Sequence, residues 1–147
     1  MQAWRNLMVE DPQQSALAVV HEFIAAWNAN DLPRVVAMLD ENVRYHNMPV
    51  APIEGRAAVA AYFDSKGGFD WINWKLLAIA AHGNMVLTER IDDFSIGGVK
   101  VSLPIMGTFE IRDGLISAWR DYFDMATYQR QLITRPTLAR LATSAGK

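Results

Sequence analysis

Apolar residues recur three to four positions apart early in the chain and two positions apart later, so the pattern passes from helical to extended partway along. Val20, Phe23, Ile24 and Trp27 form one helical stripe behind Asp11-Pro12, a capping residue followed by a proline suited to a first turn. Asn28-Ala29-Asn30-Asp31 interrupts the stripe. Asp31 and Pro33 then open a second, short helix with Val35, Val36, Met38 and Leu39 as its buried side. After Asp40-Glu41-Asn42, the run Val43-Arg44-Tyr45-His46-Asn47-Met48 predicts a strand ended by Pro49, and Pro49 with Pro52 makes the next stretch a loop. Arg56 to Phe63 is Ala-rich with Val59, Tyr62 and Phe63 on one side, which predicts a third helix stopped by Lys66-Gly67-Gly68.

The second half predicts four strands, Trp71 to Ala80, Met85 to Ile96, Val99 to Ile111 and Leu115 to Phe123. Gly97-Gly98 and Asp113-Gly114 between them are strong tight-hairpin dipeptides. The third strand alternates cleanly: Val99, Val101, Leu103, Ile105, Phe109 and Ile111 face one way, Lys100, Ser102, Thr108 and Glu110 the other. A last helix runs around Ala126 to Ile133. Three to four helices and a meander of strands give an α+β fold: a curved, mixed but mostly antiparallel sheet, with the helices forming a cone-shaped barrel around an apolar pocket.

Size agrees with one domain. A chain of 147 residues and 16.5 kDa exposes about 7,500 Å² folded against about 24,000 Å² unfolded, enough burial for one core. Residues 1–147 are expected to form a single domain, with 1–10 and 135–147 as terminal extensions. Composition narrows the chemistry further. With 14 Lys+Arg against 16 Asp+Glu the net charge is −2, not the basic face of a nucleic-acid binder. The lack of cysteine excludes thiol nucleophiles, disulfides and Cys-ligated metals, and three histidines leave little for a His-rich metal site. No apolar run approaches the ~20 residues of a membrane span, and Met1 to Glu10 lacks an apolar signal region. A soluble cytoplasmic protein without a Cys-ligated or His-rich metal site and without a membrane or nucleic-acid partner is expected.

Charges on faces that should be buried are the informative positions. Val86, Thr88, Arg90, Asp92, Phe94 and Ile96 share one face, with Arg90 and Asp92 at its centre; Leu115, Ser117, Trp119, Asp121 and Phe123 share another, with Asp121 between two aromatics. A lone buried carboxylate would cost several kcal/mol. A guanidinium can hold two at once, which makes Arg90 the candidate partner. Tyr45 and Asn47 point the same way from the first strand. By spacing alone such a set is more often a structural ion pair than a catalytic one, and Met85, Leu87 and Ile91 leave the opposite face assignment open. His21 lies on a helix, His46 alternates with Tyr45 and faces away, and His82 sits beside the turn Gly83-Asn84; each is ordinary for a non-catalytic histidine.

The segments Tyr45-His46-Asn47-Met48-Pro49, Thr88-Glu89-Arg90-Ile91-Asp92 and Trp119-Arg120-Asp121-Tyr122-Phe123-Asp124 resemble, in order and spacing, three signature segments of the limonene-1,2-epoxide hydrolases. The likeness runs from the first helix to about Tyr128. The Phe23 to Asp31 pattern and Gly55-Arg56 are shared with the wider cone-shaped folds of the ketosteroid isomerase and nuclear transport factor type, and support the fold only. The resemblance implies an Asp–Arg–Asp catalytic set, Asp92, Arg90 and Asp121, with Tyr45 and Asn47 helping to hold a water. Asp92 is then the general acid and Asp121 the general base, because two carboxyls sharing an arginine in an apolar pocket have their pKa values pushed apart. The implied reaction is one-step addition of water to an apolar, cyclic epoxide, giving a vicinal trans-diol without a covalent intermediate or cofactor. Met38, Leu39, Phe94, Leu103, Ile105 and Phe123 are the expected apolar lining, and a homodimer through the sheet is expected. Two rivals stand beside it: a ketosteroid-isomerase-like proton-transfer enzyme, and a non-catalytic binder of small apolar ligands in which the Asp–Arg–Asp set is structural.

Overall fold

A computed structural model describes residues 11–65 and 69–133. Helix α1 is Pro12–Asn28, α2 Leu32–Ala37 and α3 Arg56–Ser65; the strands are β1 Leu39–Asn47, β2 Ile53–Glu54, β3 Trp71–His82, β4 Met85–Ile96, β5 Val99–Arg112 and β6 Leu115–Tyr122. A fourth helix, α4, occupies residues 125–133. The Lys66-Gly67-Gly68 stop and the expected terminal extensions 1–10 and 135–147 lie outside the described residues. The predicted caps form: Asp11 accepts from the Gln13 amide at 3.1 Å and Asp31 from the Arg34 amide at 3.2 Å. Both expected hairpin turns have two consecutive positive φ angles, Gly97 and Gly98 at 56° and 79°, Asp113 and Gly114 at 50° and 76°, as a two-residue turn matched to strand twist requires.

The six strands form one mixed sheet in the order β2-β1-β6-β5-β4-β3. β3 to β6 are an antiparallel meander, and β1 joins its far side by pairing parallel to β6. That parallel pair sets Tyr45 beside Trp119 and Asn47 beside Asp121. The edge strands β2 and β3 do not pair with each other, so the cone is open rather than closed by strand pairing. Helix α1 lies against β3, β4 and β5, and α3 against β1 and β2. Phe23, Trp27, Phe63, Trp74, Phe109 and Trp119 interlock in the core, with Phe23 edge-on to Trp119 at 5.2 Å and Trp27 stacked on Trp74 at 5.4 Å between ring centroids.

Three expectations change. α2 ends at Ala37, and the polar run Asp40-Glu41-Asn42 is part of β1 rather than a break before it. Ile116 donates its amide to the Met38 carbonyl at 3.0 Å, and Asp40 is held by the Asn42 amide at 2.8 Å and Arg112 at 3.1 Å, so its carboxylate is satisfied without a turn. The Pro-flanked loop contains the short β2, which pairs with β1 through Ile53 and Tyr45 directly after Pro52. In β6 the alternation is not continuous: Ile116 is fully buried while Leu115 is half-exposed. The register shifts there, from Ile111 opposite Ile116 to Glu110 opposite Ala118. Ser117 is the extra residue, its hydroxyl donating to the Glu110 carbonyl at 3.0 Å.

Candidate active site

The site is built on one row of residues running across four strands. Thr88 of β4 pairs with Gly107 of β5, Gly107 with Asp121 of β6, and Asp121 with Asn47 of β1. Arg90 and Asp92 follow Thr88 on the same face of β4, so the charges separated by thirty-one residues of sequence meet over the middle of the sheet. Gly107 makes the meeting possible. A Cβ there would collide with Arg90 Nη1 and come within 2.8 Å of Asp121 Oδ1 and 3.0 Å of Thr88 Oγ1. The missing side chain is the groove in which the guanidinium crosses β5. Gly107→Ala is therefore expected to destabilise the fold by roughly 1–3 kcal/mol, the usual range for overpacking, and to lower activity by displacing Arg90; urea unfolding and turnover of the same preparation check both.

Arg90 is fully buried, and Asp92 and Asp121 are each only 3% exposed. Arg90 grips Asp92 with two bonds, Nε to Oδ1 at 2.8 Å and Nη2 to Oδ2 at 3.0 Å, and Nη2 also donates to Asp121 Oδ1 at 2.9 Å. Nη1 donates to Thr88 Oγ1 at 3.1 Å, and the Thr88 hydroxyl donates to the Gly107 carbonyl at 3.2 Å. The cation sits over the Trp74 ring, with Cζ 4.1 Å from its centroid. Trp74 is itself fixed at the backbone by Asn28, the last residue of α1, which accepts from the Trp74 amide at 2.6 Å and donates to its carbonyl at 3.1 Å. Beside the carboxylates, Asn47 Nδ2 donates to the Tyr45 hydroxyl at 2.7 Å.

These contacts set the protonation states. Burial would lower the pKa of Arg90, but the adjacent Asp121 and Asp92 charges outweigh it and hold the guanidinium ionised. For Asp92, burial outweighs the opposing pull of Arg90, and the neighbouring Asp121 and Asp93 charges add to it, raising its pKa from 3.8 to about 6. Burial, reinforced by Asp121, pushes the Tyr45 hydroxyl well above its ordinary range, so it stays a neutral donor.

Asp92, Asp121, Tyr45 and Asn47 open onto a cavity of about 280 Å³, a size that suits a small apolar molecule. Of the expected lining, Phe94, Leu103, Ile105 and Phe123 border it. Met38 and Leu39 do not: Met38 caps α2, and Leu39 starts β1 eight residues from Asn47, fully buried in the core. At ~3.3 Å per residue that distance is too great for one small pocket. Tyr62, Phe69, Ile72, Met125 and Tyr128 line the cavity as well, and Thr88, Trp74 and Gly107 brace Arg90; the sequence reading singled out none of these for the site. The one signal was available at Gly107, the single position of the inward-facing series of β5 that carries no side chain. None of the histidines borders the cavity: His21 is exposed on α1, His82 is exposed at the end of β3, and His46 bonds the Val50 carbonyl at 2.9 Å. Among the described residues, no three His, Asp or Glu side chains converge as metal ligands would, and no helix is long and apolar enough to cross a membrane.

The limonene-1,2-epoxide hydrolase catalytic domain family matches residues 14–134 of the chain. The chain is similar to the epoxide hydrolase EphG of Mycobacterium tuberculosis, 36% identical over 106 residues that cover 72% of this chain and 71% of that protein. Among solved structures it is similar to an epoxide hydrolase of the same family type from M. tuberculosis, with a TM-score of 0.76, 31% identity, and coverage of 88% of this chain and 98% of the other. A polyketide-cyclase-like protein from Xanthomonas campestris pv. campestris matches with a TM-score of 0.69 and 24% identity over 82% of this chain and 98% of its own, a likeness of fold alone.

Proposed function

This chain belongs to the limonene-1,2-epoxide hydrolase family, and from that membership we propose that it adds water to an apolar cyclic epoxide in one step, giving a vicinal trans-diol. One observation carries the reading: a single buried arginine bonds two carboxylates that both face the apolar cavity. Epoxide opening needs a proton for the ring oxygen while a nucleophile attacks carbon, so one carboxyl must be protonated and the other ionised. Asp92 takes the acid role. Its raised pKa lets it hold a proton, and each of its oxygens keeps a lone pair beyond the one Arg90 engages. Asp121 takes the base role: Arg90 engages Oδ1 and leaves Oδ2 to take a proton from water. Tyr45 and Asn47, already bonded to each other, fix that water beside it. With one proton shared by the two carboxyls, Asp–Arg–Asp is neutral, which an apolar cavity tolerates.

The substrate's apolar body lies against Phe94, Leu103, Ile105 and Phe123. No metal or organic cofactor enters the scheme. Exposed Leu77, Leu87, Met106 and Tyr122 on the outer side of the sheet support a homodimer joined through that side, which sedimentation would detect as twice the chain mass.

The direct-water step is tested by a single turnover in oxygen-18 water with enzyme in excess. Every diol molecule is expected to carry the label. Unlabelled first-turnover diol would mean that a carboxylate oxygen is transferred through a covalent ester and would overturn the scheme.

A further inference from the structure

The first half of β5 runs beyond the end of β6, whose last pair with it is Tyr122 opposite Met106. From residue 99 to 105, β5 is therefore bonded by β4 on one side and, among the described residues, has no strand on the other. In an antiparallel ladder the backbone groups of successive residues face opposite edges, so Lys100, Ser102 and Pro104 present theirs to the same side. Ser102 faces the open edge, and Gln131 of α4 occupies it. The Ser102 amide donates to Gln131 Oε1 at 2.7 Å, and Gln131 Nε2 donates to the Ser102 carbonyl at 2.8 Å. One side-chain amide thus satisfies both backbone groups that a neighbouring strand would have bonded. Pro104, two residues on, has no N–H to leave unmet there.

The same helix supplies a wall of the cavity. Met125 and Tyr128 of α4 line it, with Phe123 just before the helix. The Tyr128 ring lies 6.2 Å from Phe94 and 6.3 Å from Phe123. These rings pack on Val101, Leu103 and Ile105 as a small apolar cluster that Phe94 joins to the main core. At its start α4 is capped by Asp124, which accepts from the Thr127 amide at 2.8 Å and its hydroxyl at 2.6 Å. The wall is thus fastened to the sheet by a small cluster and by Gln131, whereas the carboxylates stand on β4 and β6.

We propose that Gln131 is a positioning residue: it latches α4 to the free edge of β5 and so fixes the Phe123–Tyr128 wall against the body of the substrate. This rests on the hydrolase reading for the identity of the substrate, but the latch can be read without it. Gln131→Ala removes both bonds to Ser102, with the weaker one that Nε2 gives the Thr127 carbonyl at 3.3 Å; Gln131→Glu keeps the oxygen and loses the donor. In the free protein, exchange of the Ser102 amide measured by NMR should accelerate about tenfold in Gln131→Ala, the effect of two modest hydrogen bonds, and less in Gln131→Glu. With substrate, KM for a bulky cyclic epoxide such as limonene oxide should rise severalfold, KM for the smaller cyclohexene oxide should rise less, and kcat should hold within about twofold, because the wall contributes binding common to ground and transition states. Unchanged Ser102 protection, or a fall in kcat with KM intact, would overturn the proposal. If the wild-type chain turned over neither epoxide, the hydrolase reading would fail by itself, and the exchange result would still decide whether Gln131 holds the helix.

Discussion

Asp92→Asn and Asp121→Asn are each expected to lower turnover of a cyclic epoxide by at least the ~10²–10⁴-fold typical of a general acid or base, with the protein still folded by circular dichroism. The two losses arise differently, and a pH profile separates them. In the proposed scheme Asp92 is needed with its proton on, and burial raises its pKa to about 6. In the wild type the rate should therefore fall as pH rises through that value, since the acid is then ionised and the ring oxygen has no donor. Asp92→Asn removes the titrating group, and the residual activity of that variant should lose this limb. Asp121→Asn removes the base instead; Asp92 remains to titrate, so the limb persists on a much lower rate. An Asn variant with activity near wild type would remove its residue from the mechanism.

The legible part of the site was the part encoded within single strands. Arg90 and Asp92 stand two apart among Val86, Thr88, Phe94 and Ile96, and Asp121 stands between Trp119 and Phe123. Charge on an otherwise apolar face of period two is visible without coordinates, because burying it unpaired would be too costly. The contacts between strands were less accessible. Hairpin dipeptides relate neighbours in sequence, so the meander from β3 to β6 could be anticipated, but nothing local announces that β1 pairs parallel to β6. That pairing is what sets Asn47 beside Asp121. Gly107 was hidden for a related reason. A glycine in a strand usually weakens it, and its use here depends on Thr88 and Asp121 flanking it from two different strands.

Met38 and Leu39 lie away from the cavity for one shared cause. Val35, Val36, Met38 and Leu39 fit a helical stripe, and a tertiary pairing overrides it: Leu39 is opposite Ile116 in the sheet, so the chain leaves the helix at Ala37 and the two residues are carried away from the cavity. Trp74 was unreadable in another way. An aromatic residue in a strand is ordinary, and only its place under Arg90 and along the cavity gives it a part in the site.

Arg90→Met is expected to lose roughly 3–5 kcal/mol of stability, the range for breaking a buried ion pair from one side. The side chain of Met fills much of the same volume, so the loss is electrostatic: Asp92 and Asp121 remain buried together with no counter-charge, and neither can reach solvent. The deficit has a sign that pH reveals. With the cation gone, the pull that opposes burial at Asp92 is lost, so its folded-state pKa rises further above the unfolded value, the folded protein binds more protons than the unfolded chain, and stability falls as pH rises through that window. The variant should thus come closest to wild type near pH 4, where burial no longer forces an uncompensated charge, and fall furthest behind it at pH 8; urea midpoints at the two pH values measure the difference. Replacing all three residues, as Arg90→Met with Asp92→Leu and Asp121→Leu, should recover most of the lost stability, since an apolar cluster of similar volume needs no charge partners. It should also be inactive. Recovery of stability without activity would mean that this charge set is retained for what it does to a substrate, while a triple variant as unstable as Arg90→Met would make the set a structural element of the sheet.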